Sequence, residues 1–262
     1  MPRNLLIMEL FDSLLDDEIL LRRPETPVAA ALAQHRELRN AYARALATLV
    51  VPDSRLTEIT RQVPLGASIP VSVITSGGAG GLLALARHHT AGAEIASVEP
   101  TLRDLDDLAG SADRMVSAAG ELSPEVTVFI ELPYAPGWEA AVDAIEAAGL
   151  CGKIAAAEAD PRQVVEQLSI LIEADLPFKI TSSLEADWLA VLMAVEALIG
   201  GASHDDAVEL MRLDDHDRFG TAVSSWEQTT QSRVRRRVRR LGTDRVQDVI
   251  NNLTMHTERP AP

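Results

Sequence analysis

Two lysines are the residues of this chain whose type and position are most suited to chemistry. The chain has 24 basic residues, and the only lysines among them are Lys153 and Lys179. Arginine is larger, planar and never deprotonated in proteins, so a lysine kept in an arginine-rich chain marks a position where arginine cannot substitute. Each lysine lies in a short run typical of a β-strand, over residues 152–156 and 178–181.

Strand alternation predicts that both lysines and one glutamate face the interior of a sheet or barrel. Successive side chains of a strand point to opposite faces. In the run 126–132, the aliphatic positions share one face and should pack against helices, which leaves Glu131 on the other face. The same alternation turns Lys179 inward and places Lys153 opposite an isoleucine.

This arrangement predicts Lys179, Lys153 and Glu131 as catalytic residues. A lysine that is removed from water beside a second cation has a lowered pKa and can attack a carbonyl carbon. The second lysine lowers that pKa or binds an anionic group of the substrate, and the glutamate moves protons. The chemistry is that of a Schiff-base lyase or aldolase acting on a small carbonyl or phosphorylated metabolite. The alternative is a lysine–glutamate set that only neutralises its own charges.

Further polar residues follow the predicted strands, where parallel α/β folds place their functional groups. The predicted substrate-binding residues are Glu99, Thr181, Ser182, Ser183, Thr75, Ser76, Gly77 and Gly78. The glycine-rich loop over 76–81 precedes a predicted helix, whose first N–H groups could bind a phosphate, although a flexible turn is the alternative. We predict neither a metal site nor a cofactor.

The elements that must position these residues alternate along the chain as strand and helix. Six strands are predicted, over residues 46–51, 70–75, 93–98, 126–132, 152–156 and 178–181. Helical patterns separate them, which implies βαβ units and a parallel sheet. The strand-to-helix turns lack the Gly-x-Gly-x-x-Gly pattern of dinucleotide-binding folds. A TIM-type (β/α) barrel is therefore favoured, with a doubly wound open sheet as the alternative.

The chain is expected to form a single domain over residues 1–262. The strand–helix repeats cover 28–200, and residues 1–27 are expected to be irregular, with a short helix around 5–15. After Gly200 the patterns over 204–213, 223–241 and 243–253 all predict helices. We therefore predict a mainly helical closing segment over 201–253, a barrel that is incomplete or irregular in its last units, and a flexible tail over 254–262.

The overall composition favours a cytoplasmic protein. The formal net charge is −15, which disfavours binding to nucleic acid or to an anionic membrane surface. No run approaches the roughly 20 uncharged apolar residues that a membrane span requires. A lone cysteine, Cys151, cannot form an internal disulfide and indicates a reducing compartment.

One basic segment, over residues 233–240, opposes the acidic average. Read as a helix, it carries Val234, Val238 and Leu241 on one face and arginines on the others. The predicted partner-binding residues are Arg235, Arg236, Arg237, Arg239 and Arg240. The expected partner is an acidic protein or a second copy of the chain, and nucleic acid is the weaker alternative.

Several segments resemble an uncharacterised family of actinobacterial barrel proteins. They are residues 49–56 (Leu-Val-Val-Pro-Asp-Ser-Arg-Leu), 177–181 (Pro-Phe-Lys-Ile-Thr) and 241–243 (Leu-Gly-Thr), and the likeness spans roughly residues 28–253. The family follows its two strand lysines with Arg-Thr-Gly and Gly-Leu-His-His, where this chain has alanines after Lys153 and Ser182-Ser183-Leu184 after Thr181. Those departures favour a second hypothesis, a non-catalytic barrel that serves as a subunit or regulatory partner.

The paired lysine strands are also faintly similar to those of deoxyribose-phosphate-type aldolases. That likeness implies Schiff-base chemistry at the lysines. The glycine-rich phosphate motifs of those aldolases are absent from this chain.

Overall fold

The repeating strand–helix pattern forms a closed barrel of eight parallel strands, in which the strands follow one another in chain order. The computed structural model describes residues 10–87, 92–156, 159–181, 188–213 and 215–257. The strands are β1 (Leu15–Asp17), β2 (Leu46–Pro52), β3 (Ile69–Thr75), β4 (Ala93–Pro100), β5 (Thr127–Glu131), β6 (Cys151–Ala155), β7 (Phe178–Thr181) and β8 (Val238–Thr243). The predicted TIM-type architecture is confirmed.

Helices surround this barrel and connect its strands. They are α1 (Ile19–Arg22), α2 (Val28–Tyr42), α3 (Leu56–Gln62), α4 (Gly78–Ala86), α5 (Leu108–Ala119), α6 (Trp138–Ala147), α7 (Pro161–Glu173), α8 (Trp188–Ile199), α9 (His204–Arg212), α10 (His216–Ser224), α11 (Gln228–Arg237) and α12 (Val246–Thr257). Within the described ranges, no helix has the length and apolar character required to cross a membrane.

Strands β2 to β7 match the six predicted strands, whereas β1 and β8 correct the sequence analysis. β1 lies in a segment expected to be irregular, and β8 interrupts the run 223–241 that was expected to be one helix. Without β8, the edges of β7 and β1 would present unpaired backbone groups, so closure outweighs the helical pattern. The barrel is therefore complete, and its last strand lies inside the segment predicted to be mainly helical. The predicted tail is helical as far as Thr257, and 258–262 lie outside the described residues.

The strands have an apolar outer face and a polar inner face, as alternation predicts. On β5, Val128 and Ile130 pack in the hydrophobic layer beneath the helices. On β7, Phe178 and Ile180 belong to that same layer. The side chains between them point to the opposite face, which turns Lys179 into the barrel. The fold thus orients the predicted lysines before any contact between them is considered.

A buried carboxylate–imidazole pair attaches the short strand β1 to α2. Asp17 Oδ2 is 2.9 Å from His35 Nδ1, and Asp17 Oδ1 accepts a 3.1 Å hydrogen bond from the Ile19 amide at the start of α1. Asp17 and His35 are both buried. Asp17 therefore points outward to the helices, and its neighbours Asp16 and Glu18 point into the barrel.

We expect Asp17→Ala to lower the free energy of unfolding by about 2–3 kcal/mol, because it leaves the buried His35 ring and the Ile19 amide without their acceptor. Chemical denaturation at neutral pH measures this change. Asp205→Ala is the matched control, since it removes an ion pair with Arg162 in which both side chains are more than half exposed. Equal effects of the two substitutions would contradict a structural role for the Asp17–His35 pair.

Candidate functional site

Lys179 lies at the centre of a group of charges inside the barrel. Its Nζ is 2.8 Å from Asp16 Oδ2 and 2.7 Å from Glu99 Oε1. Glu18 Oε1 is farther away, at 3.8 Å. All four side chains are fully buried. The Lys179 ammonium therefore neutralises carboxylates from both β1 and β4.

Lys153 lies beside it, nearer to the solvent. Its Nζ is 2.9 Å from Glu99 Oε2 and 2.9 Å from Glu131 Oε2. The Lys153 side chain is 3% exposed, and that of Glu131 is 24% exposed. Strand register explains the proximity, because Lys153 is the partner of Glu131 across β5–β6 and of Lys179 across β6–β7. Glu131 is thus the group of this set that water reaches.

Together these residues form what we term the charged cluster. Its members are Asp16, Glu18, Glu99, Glu131, Lys153 and Lys179. The structure therefore brings together all three residues that the sequence predicted as catalytic, along with the predicted Glu99. It adds Asp16 and Glu18, which sequence reasoning missed because their strand was not recognised.

Hydroxyl groups from neighbouring strands complete the hydrogen bonds of the cluster. Ser97 Oγ donates to Ser72 Oγ at 2.7 Å, and Ser72 Oγ donates to Glu99 Oε1 at 2.5 Å. Thr48 Oγ1 donates to Asp16 Oδ1 at 2.7 Å. All of these side chains are buried. Charged carboxylates are stable inside the barrel because each of these two has both a cation and a hydroxyl donor.

Strand β8 contributes a cation, Arg240, and a glycine, Gly242, whose missing side chain leaves room for a carboxyl group. Arg240 Nε is 3.7 Å from Asp16 Oδ1. A Cβ placed on Gly242 would lie only 1.9 Å from Glu18 Oε1 and 3.0 Å from Thr181 Cγ2. The Glu18 amide also donates to the Thr243 carbonyl at 2.8 Å. Glycine at position 242 is therefore required for the Glu18 carboxyl to lie against β8.

The lysines are held in their charged forms. Burial lowers the pKa of Lys153, but the carboxylates of Glu99, Glu131 and Glu18 outweigh burial and raise that pKa above its ordinary value. Burial likewise opposes the charge of Lys179, and its acidic neighbours raise its pKa even though Lys153 acts in the other direction. Lys153 does lower the pKa of Lys179, as expected, but the net lowering that was expected for a lysine is not found, because the surrounding carboxylates raise both pKa values.

The two buried glutamates respond in opposite ways. Burial raises the pKa of Glu99, but the charges of Lys153 and Lys179 and the hydrogen bonds from Lys179 and Ser72 lower it well below the ordinary value. Burial dominates at Glu18 and raises its pKa, because Lys179 and Lys153 only partly offset it. Glu99 is thus held as an anion, and Glu18 holds a proton more readily than Glu99 does.

The other predicted binding residues do not share one position. Thr181 is buried at the end of β7, next to Gly242. Thr75 turns outward to α4, where its Oγ1 accepts a 3.3 Å hydrogen bond from the Gly77 amide. Gly77 caps α4, and Gly78 begins that helix with a φ of +57°, a conformation that favours glycine. Ser182 and Ser183 lie outside the described residues.

The predicted anion site in the loop over 76–81 contains a carboxylate instead. The amide and hydroxyl groups of Ser76 both donate to Asp53 Oδ2, at 2.7 and 2.8 Å. The first donors of this loop are therefore already bound to a negative charge.

The basic segment does not form one helical face. α11 ends at Arg237, and β8 begins at Val238, so Val238 and Leu241 pack in the hydrophobic layer from a strand. Arg239 is exposed on that strand, whereas Arg240 belongs to the barrel interior beside Asp16.

The helical arginines of this segment contact other parts of the chain. Arg235 donates from its Nη atoms to the carbonyl oxygens of Val238 and Asp12, at 2.5 and 3.0 Å. Arg236 and Arg237 both pair with Asp175, at the end of α7. These contacts attach α11 to the barrel.

No protein-family model, curated protein or solved structure matches this chain. Its class is defined by the fold and the site, and it is a TIM-type α/β barrel with two lysines and four carboxyl groups clustered inside.

We expect Glu99→Gln and Glu18→Gln to have opposite effects on stability at pH 7. Glu99→Gln removes the anion shared by two buried lysines and should lower the free energy of unfolding by roughly 3–5 kcal/mol. Glu18→Gln removes a charge that burial disfavours, so stability should stay the same or rise. Chemical denaturation of both variants measures the difference, and a greater loss with Glu18→Gln would contradict the assignment.

The stabilisation due to Glu99 should depend on pH. Because the folded-state pKa of Glu99 is lowered, its contribution is complete above the unfolded-state value of about 4.3 and is lost as the pH falls below it. The stability difference between the wild-type chain and Glu99→Gln should therefore be constant from about pH 6 to 8 and shrink below about pH 4.5. Denaturation curves across this range test the prediction. A difference that grows on acidification would contradict it.

Proposed function

We propose that this chain is a barrel lyase that binds a small carbonyl compound as an imine on Lys153. The observation that carries the proposal is the position of Lys153 Nζ, 2.9 Å from both Glu99 and Glu131, with Glu131 partly exposed. Glu131 moves the protons in this scheme. Lys179, which is fully buried, holds Asp16 and Glu99 in place.

The energetic cost of the charged cluster supports a functional role. Interiors of TIM-type barrels are normally filled by layers of branched apolar side chains. Replacing a buried ion pair by well-packed apolar residues is often neutral or stabilising, so stability alone gives little reason to retain six ionisable groups. Strongly shifted pKa values are concentrated at functional sites, and Glu18, Glu99, Lys153 and Lys179 all have shifted values here.

Imine formation requires Lys153 to lose its proton. Glu131 is a partly exposed acceptor 2.9 Å from Lys153 Nζ, and it takes this proton as the substrate enters. The Nζ lone pair then forms a C–N bond with the carbonyl carbon, and the carbonyl oxygen takes one proton from the nitrogen and one back from Glu131 and leaves as water. The product is an iminium ion beside Glu99, whose fixed negative charge stabilises it.

Carbon–carbon cleavage follows from the iminium ion when the substrate has a hydroxyl group on its β-carbon. Glu131, again a carboxylate, removes the hydroxyl proton. The bond between the α- and β-carbons breaks, and its electron pair forms the carbon–carbon double bond of an enamine as the iminium π electrons return to nitrogen. The β-carbon leaves as an aldehyde. The enamine then takes a proton at its α-carbon, and water hydrolyses the resulting imine to release the second carbonyl compound. The faint similarity to deoxyribose-phosphate-type aldolases supports this order of steps.

A non-catalytic barrel that serves as a subunit is the alternative. The pairing of both buried lysines with carboxylates favours it, because such pairing also suits a barrel interior that only neutralises its own charges. The basic segment gives it less support than the sequence suggested, since Arg235, Arg236 and Arg237 contact the chain itself. Covalent trapping separates the two functions.

We also infer a reducing compartment such as the cytoplasm. Cys151 is a buried free thiol on β6, and burial raises its pKa. A thiol of this kind is neither a disulfide partner nor a reactive group, which supports the inference.

Trapping with sodium cyanoborohydride and glycolaldehyde should add the aldehyde carbons to Lys153, as detected by peptide mass spectrometry. The assay is clean because the only other amines are Lys179 and the amino terminus. Lys153→Arg retains the cation between Glu99 and Glu131 but cannot form an imine, so it should abolish this label. Glu131→Gln should slow labelling by roughly 10²-fold. An adduct on neither lysine would sink the lyase proposal, and one on Lys179 alone would contradict the role of Lys153.

The rate of imine formation should rise with pH. The raised pKa of Lys153 keeps its amine protonated at neutral pH, so the neutral fraction grows about tenfold per pH unit across the range from about pH 6 to 9. Imine present at each time point is fixed by a borohydride pulse and quantified on the Lys153 peptide. The amino terminus is the internal control, because its labelling should level off above about pH 8. A plateau for Lys153 near pH 7 would contradict the ion-paired state.

A further inference from the structure

We infer that the substrate of the charged cluster carries no phosphate, and that its end remote from the carbonyl bears a hydroxyl or ammonium group bound by Glu18. This inference rests on the proposed function and specifies its substrate class. It is carried by the position of Glu18, by its unpartnered carboxyl oxygen, and by the charges that surround the carboxyl end of the barrel.

Glu18 occupies a place where TIM-type barrels commonly bind phosphate. Such phosphate sites are frequently formed by the loops after strands 7 and 8. In this chain the Glu18 carboxyl lies against β8, since a Cβ on Gly242 would be 1.9 Å from Glu18 Oε1, and Thr181 at the end of β7 is adjacent. A carboxyl group therefore fills the space beside the ends of both strands.

One carboxyl oxygen of Glu18 lacks a hydrogen-bond donor. Oε2 accepts a 3.1 Å hydrogen bond from Arg22 Nε. Oε1 is buried and has no hydrogen-bond partner among the described residues, and the nearest cation, Lys179 Nζ, is 3.8 Å away. Buried oxygens of this kind are normally hydrogen-bonded. When Glu18 is ionised, a hydroxyl or ammonium group of the substrate supplies the donor that Oε1 lacks, and an ammonium group also favours that ionised form. An ionised phosphate offers no donor to this oxygen.

The arginines closest to the cluster are already paired with carboxylates. Arg22 pairs with Glu18, and Arg240 is 3.7 Å from Asp16. Arg23, which follows α1, pairs with Asp244 at 2.9 Å. A phosphate dianion would have to compete with these carboxylates for each cation.

Other described carboxylates at this end of the barrel add negative charge. Asp53, which follows β2, already accepts the hydrogen bonds of Ser76, which follows β3. The charged cluster itself has four carboxyl groups for two ammonium groups. A phosphate group would add like charge to surroundings of low dielectric constant, where repulsion is strong.

The test compares three aldehydes as probes of the full-length wild-type chain. D-glyceraldehyde, D-glyceraldehyde 3-phosphate and 3-aminopropanal are each trapped with sodium cyanoborohydride, and the initial labelling rate of Lys153 is measured by peptide mass spectrometry. We expect both unphosphorylated aldehydes to label Lys153 at least tenfold faster than the phosphate. The faster of the two identifies a hydroxyl or an ammonium group as the ligand of Glu18. Equal or faster labelling by the phosphate overturns the inference and leaves the lyase proposal intact, whereas no labelling by any aldehyde overturns both.

Glu18→Gln tests the residue itself. The amide has nearly the same shape without the charge, and the stability argument above indicates that this variant folds. The rate ratio of 3-aminopropanal to D-glyceraldehyde 3-phosphate should fall at least fivefold relative to the wild-type chain. Asp205→Asn, an exposed change on α9, is the matched control and should leave the ratio unchanged. A ratio that Glu18→Gln does not change would remove Glu18 from the binding site.

Discussion

The interior of this barrel depends on one carboxylate that two lysines share. Glu99 Oε1 accepts a 2.7 Å hydrogen bond from Lys179 Nζ, and Glu99 Oε2 forms an ion pair with Lys153 Nζ at 2.9 Å. Without it, two ammonium groups on adjacent strands would face each other in a space with little water. The seryl hydroxyl of Ser72 fixes the orientation of the carboxylate. The remaining members of the cluster are arranged around this bridge, with Asp16 on the buried side and Glu131 on the side that solvent reaches.

The two lysines that Glu99 joins differ in their other partners and in their distance from solvent. Lys179 is enclosed by carboxylates of β1 and β4, so its charge is structural. Lys153 has one partner that is fixed and one that is partly exposed. Under the proposed lyase function, a substrate that approaches from solvent would meet Glu131 and Lys153 first. The register of β5, β6 and β7 pairs Glu131 with Lys153 and Lys153 with Lys179, so the two lysines are direct neighbours but only Lys153 contacts the partly exposed Glu131.

Much of the fold could be predicted from the sequence, and the gaps have a common physical cause. The strands β2 to β7 have apolar residues on the helix-facing side, which is a local signal, and alternation then orients Glu131 and Lys179. β1 and β8 have little such signal: β1 reads Leu-Asp-Asp, and β8 begins as Val-Arg-Arg. Their strand conformation is imposed by barrel closure, which no local pattern records. Asp16 and Glu18 were missed for this reason, and Arg240 was assigned to partner binding instead of the barrel interior. The direction of the Lys179 pKa shift was misjudged in part because Asp16 and Glu18 were not counted.

The pairing of β1 with β8 has a consequence for biosynthesis. Asp16 and Glu18 are made early, yet their cation Lys179 follows 163 residues after Asp16, and Gly242 and Arg240 emerge later still. During translation Asp16 therefore lacks its cations until Lys179 and Arg240 have been made, whereas Glu18 has Arg22, four residues further along the chain, from the start. Closure of the cylinder and assembly of its charged interior are then the same event. A polypeptide released before β8 would lack both the strand that closes the barrel and Gly242, which leaves room for the Glu18 carboxyl group.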